Sequence, residues 1–153
     1  MWKSYGNAIG IPLLAGGLVG ILTAGGMKGF EALVKPPLSP PGWLFPIVWT
    51  VLYTLMGIAS GIVWKAEDTE QRKQALFLYG LQLIVNLLWP FLFFTLEWYF
   101  FSFAWLVLLW VLVYETLRSF WPVSKRAALL LLPYLVWLTL AGYLNLGVWW
   151  LNR

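Results

Sequence analysis

Gln82, Asn86 and Trp89 lie four and three residues apart, which puts them on one face of a helix. Trp49, Tyr53, Gly57 and Ser60 repeat that spacing, and so do Tyr134, Trp137, Ala141 and Asn145. Each stripe mixes aromatic surface with one or two neutral hydrogen-bonding groups. Three helices turning these stripes inward would enclose an apolar, aromatic interior with a few neutral donors and acceptors. Such an interior suits a flat, largely hydrophobic ligand. The other reading is that the polar groups pair only with one another and tie the helices together. For Asn145 the tie is the expected role; for Gln82, Asn86, Trp49 and Trp137 both readings stand.

Other chemistry is excluded by residue type. The chain has no Cys and no His, which removes disulfides, thiolate nucleophiles, Cys or His metal sites and the usual axial ligands of haem. No ionisable group of the kind that marks ion or proton pathways sits inside an apolar segment. Without a general base there, hydrolysis is not expected either. No catalytic residue, metal or obligatory cofactor is therefore expected.

The elements that must position the stripes follow from charge spacing. Of 153 residues, 61% are hydrophobic and 10% charged, against about 25% charged in an ordinary soluble domain. Charge-free stretches run over 4–27, 36–64, 74–96, 98–114 and 127–152. Crossing a ~30 Å hydrocarbon layer takes roughly 20 apolar residues in a helix. Four stretches qualify outright. The fourth in order is shorter and extends if Glu115 and Arg118 reach the interface along their aliphatic stems. The fold class expected is all-α: an integral membrane bundle of five transmembrane helices in a single domain, 1–153, with spans near 7–26, 44–64, 74–95, 98–117 and 127–149. Strands are a poor alternative, because runs such as 104–113 do not alternate. The first span follows Lys3 and precedes Ala24-Gly25-Gly26, marks shared with signal peptides, but its apolar run is longer than a usual signal core. A retained span is expected.

Five spans put the termini on opposite sides. Lys3, Lys65, Arg72, Lys73, Arg118, Lys125 and Arg126 share the N-terminal side; Lys28, Lys35 and Arg153 share the other. The positive-inside rule then places the N-terminus in the cytoplasm, if the host is a bacterial plasma membrane. The net charge of +4 reflects these interfacial cations, and no nucleic-acid partner is expected. Of the 12 tryptophans, Trp2, Trp43, Trp64, Trp98, Trp121, Trp149 and Trp150 fall at span ends, where indoles anchor a helix at the interface. Trp49, Trp89, Trp105, Trp110 and Trp137 lie deeper. Gly16/Gly20 and Gly57/Gly61 are four-residue pairs inside spans and allow close helix approach, within the monomer in preference to a dimer seam.

Most connections are short, with Pro122 breaking the helix and Ser124 a candidate N-cap before the last span. The first loop, 27–42, differs. It ends in Lys35-Pro36-Pro37-Leu38-Ser39-Pro40-Pro41-Gly42-Trp43, which is too proline-rich for a helix interior and is expected to be extended or turn-like, and stiff. It is either a connector seating Trp43 at the interface or a lid over one end of the bundle, with Phe30, Lys35, Pro40, Pro41 and Trp43 as the lid residues.

This loop, followed by Val48-Trp49 and Leu52-Tyr53, resembles the signature of the translocator protein or tryptophan-rich sensory protein (TspO/MBR) family. Gln82, Asn86, Trp89-Pro90 and Phe93-Phe94 resemble its third-helix pattern; Pro133-Tyr134, Trp137, Ala141, Leu144-Asn145 and Trp149 resemble its fifth. The resemblance implies a five-helix bundle, often dimeric, with a ligand pocket under the first loop. Implied ligands are porphyrins, sterols and flat synthetic drugs, so a protoporphyrin-type molecule, membrane lipid and a second copy of the chain are the implied partners. By motif position Trp49, Asn86, Trp137 and Ala141 would line the pocket, with Tyr53, Gln82 and Trp89 beside them. Trp49 and Trp137 match tryptophans tied to light-driven porphyrin breakdown in some members. A sensor, a transporter of such ligands and a light-dependent porphyrin-degrading activity are the functions implied. The chain departs from the pattern at Gly29-Phe30, where many members have Trp-Tyr, and at Leu38, where many have Trp. Its loop thus offers less aromatic surface and no phenol at those positions.

Overall fold

A computed structural model describes residues 2–153, with side chains from Gly6 onward. Five helical segments are long and apolar enough to cross a bilayer, and no strand occurs among the described residues. The first, α1 (Trp2–Thr23), is followed by a short helix, α2 (Gly26–Glu31), and then by the second spanning helix, α3 (Leu44–Trp64). The third span is α4 (Glu70–Pro90), continued by a π-helical turn over Phe91–Thr95. The fourth is α5 (Tyr99–Phe120), and the fifth consists of α6 (Lys125–Leu130) and α7 (Leu132–Leu151). The chain is an all-α, multi-pass integral membrane protein.

The first loop is not extended throughout. Its first half forms α2, although Gly-Met-Lys-Gly-Phe-Glu is a poor helix sequence. Tertiary contact overrides propensity here. Gly26 sits so close to the backbone carbonyl of Phe94 that a Cβ would collide with it, and Phe30 is buried in the bundle. The proline half, 34–41, is non-helical as its composition requires. Leu38 there adopts a left-handed backbone, φ 69°.

Two proline effects shape the later spans. Pro90 has no N–H to continue the α-ladder, and the chain widens to i→i−5 bonding, with Leu96 N–H donating to the Phe91 carbonyl at 2.8 Å. The fifth span breaks at Leu131, just before Pro133 in the first turn of α7. The expected Ser124 cap is present, its hydroxyl accepting from Ala127 N–H at 3.3 Å. Thr69 caps α4 likewise, accepting from Arg72 N–H at 3.2 Å.

Neighbours in the bundle are α1 with α3, α4 with α5, α5 with α7, and α3 with α6. Glycine lets α1 approach. Gly57 of α3 lies against the backbone of Ala8 and Ile9, and Gly16 of α1 receives the Tyr53 ring. Gly16 and Gly57 thus pack within the monomer, whereas Gly20 has nothing within 4 Å of a Cβ position. The α3 backbone closes against α6 but keeps apart from α7. Aromatic side chains fill the wedge between them.

Gly57 and Gly17 test this packing. Gly57→Ala should destabilise the protein by roughly 1–3 kcal/mol, because the methyl meets backbone that cannot rotate away. Gly17 has nothing within 4 Å of a Cβ position, so Gly17→Ala should be neutral or stabilising by up to about 1 kcal/mol. Thermal unfolding in detergent micelles reads both. Equal effects would show that α1 does not pack through Gly57.

Candidate functional site

The three stripes converge, and most of their polar atoms are spent on one another. Tyr53 OH donates to Asn86 Oδ1 at 2.6 Å. Asn86 Nδ2 donates to Tyr134 OH at 2.6 Å, and Tyr134 OH donates to Gln82 Oε1 at 2.8 Å. Gln82 Nε2 ends the series at the Met56 sulfur, 3.9 Å away, a weak acceptor. Every member is buried. This network joins α3, α4 and α7, and it uses both amides that the spacing offered as ligand contacts.

A second cluster lies nearer the loop end. Asn145 Oδ1 accepts from Trp89 Nε1 at 3.0 Å and from Ser102 Oγ at 3.1 Å, while Asn145 Nδ2 donates to the Tyr99 carbonyl at 2.7 Å. Asn145 thus ties α4, α5 and α7, the role its spacing gave it. Trp105 Nε1 donates to the Val85 carbonyl at 2.8 Å and Trp110 Nε1 to Thr139 Oγ1 at 3.1 Å. Three of the five deep tryptophans are therefore interhelical donors.

Trp49 and Trp137 behave differently. Both are half-buried, in the wedge between α3 and α7. Their ring centroids are 6.4 Å apart with planes at 89°. Trp49 also leans on Tyr53 at 5.6 Å and meets Tyr134 edge-on at 6.3 Å. Trp137 Nε1 is buried with no hydrogen-bond partner. Ala141, one turn further along α7, is buried. Phe45, not singled out by spacing, stands edge-on to Trp137 at 5.7 Å. It lies one turn before Trp49 on the same helix face, but a phenylalanine in an apolar stretch carries no sequence signal.

The loop residues split. Phe30 is 2% exposed and packs among Phe45, Phe93 and Phe94 with centroids 5.6–5.7 Å away. Lys35 Nζ sits 5.0 Å from the Phe30 ring and donates to the Glu31 and Leu33 carbonyls. Pro40 is half-buried, whereas Pro41 and Trp43 are exposed. Trp43 therefore suits an interfacial anchor more than a lid. Two clefts, of about 350 and 480 Å³, open elsewhere, one between α5 and α7 and one where Pro36 and Pro37 meet the end of α7. Neither is lined by Trp49 or Trp137.

Five spans, a proline-rich loop held against the bundle and an aromatic wedge between the second and fifth spans define a multi-pass helical membrane protein with a side-chain-filled interior. The chain belongs to the TspO/MBR family, whose profile matches residues 8–151. It is 40% identical over 124 residues to Protein CrtK of Rhodobacter capsulatus, covering 80% of this chain and 78% of that one. It is also 40% identical over 127 residues to the tryptophan-rich protein TspO of Chlorobaculum tepidum, covering 80% and 78%. To the translocator protein of Bos taurus it is 37% identical over 146 residues, covering 94% and 86%.

The Asn145 cluster can be tested by substitution. Asn145→Leu leaves the Trp89 indole N–H without its acceptor, while Ser102 keeps the Tyr99 carbonyl, and should cost on the order of 1–3 kcal/mol. Thr139→Val removes the partner of a single lipid-facing indole bond and should cost only about 0.6 kcal/mol, the average of such bonds in membranes. Thermal midpoints in detergent compare them; a midpoint for Asn145→Leu no lower than that of Thr139→Val would refute the tie.

Proposed function

We propose that this protein is a membrane-embedded binding protein or sensor for porphyrin-like and other flat hydrophobic ligands, held at the wedge between α3 and α7. One observation carries the reading. Trp89, Trp105 and Trp110 are tied by their indole nitrogens, whereas Trp49 and Trp137 face each other half-buried and the Trp137 nitrogen has no partner. A buried donor left unpaired is uncommon in a purely structural core. Large aromatic faces with few polar groups match an extended conjugated ring. Tyr53 and Tyr134 would form the wedge's inner wall, and Gln82 and Asn86 would act on a ligand through those phenols, since their own amides are engaged. Trp89 and Ala141 would flank the site.

Relatives named translocator protein and tryptophan-rich sensory protein support the same class. With a bacterial plasma membrane proposed as the host, the cation distribution supports an N-terminus in the cytoplasm.

Titration of protoporphyrin IX against the intrinsic tryptophan fluorescence of the purified protein tests the proposal. Saturable quenching is expected, with at least tenfold weaker binding in a Trp49→Ala, Trp137→Ala double variant. Unchanged binding in that variant would remove the site from the α3–α7 wedge.

A further inference from the structure

We infer that Phe30 is a plug rather than a cover: its ring holds the wedge closed and must withdraw before a flat ligand can seat between Trp49 and Trp137. The inference rests on the binding reading above and predicts a sign opposite to that of a lid residue touching the ligand.

Four rings form a series from the loop to the site. Phe30 meets Phe45 at 5.6 Å and 83°. Phe45 meets Trp137 at 5.7 Å and 71°, and Trp137 meets Trp49 at 6.4 Å and 89°. Each pair is edge-to-face. A planar ligand sandwiched by two indoles needs them parallel and about 7 Å apart, twice a carbon contact distance of ~3.5 Å. The two indoles here are perpendicular, so one must turn. A ring in a close-packed interior turns only if its neighbour yields volume. On the loop side of Trp137 that neighbour is Phe45, 5% exposed, and behind it Phe30, 2% exposed.

Phe30 is the one ring of the four that is not carried on a spanning helix. It belongs to α2, whose six residues are too few for a helix to be stable alone. Its placement depends on the Phe30 contacts, on Gly26 seating against the Phe94 carbonyl and on the flexible Lys35 side chain, whose Nζ meets the Phe30 ring and the Glu31 carbonyl. The following segment is fixed independently. Val34 N–H donates to Asn152 Oδ1 at 3.1 Å, and Asn152 Nδ2 donates to the Val34 carbonyl at 2.7 Å. Tyr143 OH donates to the Pro37 carbonyl at 2.6 Å, and Pro36 covers Gly147. The proline segment therefore stays on α7 while α2 swings about Val34.

A state with Phe30 seated is closed to the ligand. The apparent dissociation constant is the intrinsic one divided by the open fraction. Truncating Phe30 weakens only the closed state, so binding tightens. A cover that touches the bound ligand would instead lose contacts, and binding would weaken.

The experiment titrates protoporphyrin IX against wild type, Phe30→Ala and Phe30→Leu in detergent micelles, read by tryptophan quenching and stopped-flow association. Phe30→Ala should bind on the order of tenfold tighter than wild type and associate faster, with Phe30→Leu in between. The same result follows if only the variants bind. Wild-type binding with equal or weaker affinity in the variants overturns the plug and leaves the wedge reading standing. No binding by any of the three overturns both. If Phe30→Ala fails to fold, Phe30→Leu decides by the same sign.

Discussion

Hydrocarbon offers no hydrogen-bond partner, so every polar group carried into it must be satisfied by the protein itself. That constraint organises this bundle. The third span supplies Gln82, Asn86 and Trp89 on one face, and each finds its partner on α3 or α7. Because Tyr134 accepts from Asn86 and donates to Gln82, one hydroxyl ties α7 to α4, and Asn86 carries the series on to Tyr53, so that three helices are joined. Asn145 does the same for α4, α5 and α7. Single interhelical bonds in membranes average only about 0.6 kcal/mol. Their effect here is directional: they fix the rotation of each helix about its axis, and so determine which side chains face the wedge.

Close packing supplies what hydrogen bonds do not. Lipid tails are as apolar as leucine, so burying apolar surface between helices gains little. Helix α1 accordingly leaves Leu14 and Ile21 about three-quarters exposed, at 77% and 76%, and is held through Gly16 and Gly57 where backbones nearly touch. The same device secures the first loop, with Gly26 under the Phe94 carbonyl and Gly147 under Pro36. Where no glycine brings the backbones together, between α3 and α7, the gap is filled by large rings. An interior closed by rings differs from one closed by backbone, since a ring can turn without a helix moving.

The five spans were legible because charge spacing reports bilayer thickness directly, and the stripes were legible because helical period is fixed. The partners were not. Whether Asn86 meets a ligand or Tyr53 depends on the mutual rotation of three helices, which no single helix encodes. Helix α2 was missed because its sequence argues against it; the Phe94 carbonyl and the Phe30 pocket exist only once the bundle has formed. The π-turn after Pro90 and the break at Leu131 are proline effects whose positions were visible, but whose form depends on which carbonyls find other donors. Phe45 was invisible, because one more ring in an apolar run carries no positional mark.

Tryptophan count alone overstated the case for a site. Trp89, Trp105 and Trp110 lie as deep as Trp49 and Trp137, yet each serves as a hydrogen-bond donor between helices. What separates the two groups is where the indole nitrogen goes. A buried N–H without a partner costs on the order of 1–3 kcal/mol; that of Trp137 is unmet among the deep tryptophans, as are Arg72 Nε and the Tyr79 hydroxyl elsewhere on α4. The same wedge holds perpendicular indoles and is closed by side chains in place of backbone contact. An unpaired buried donor and a closure made of rings coincide at one place, and Phe45 and Phe30 connect that place to the loop.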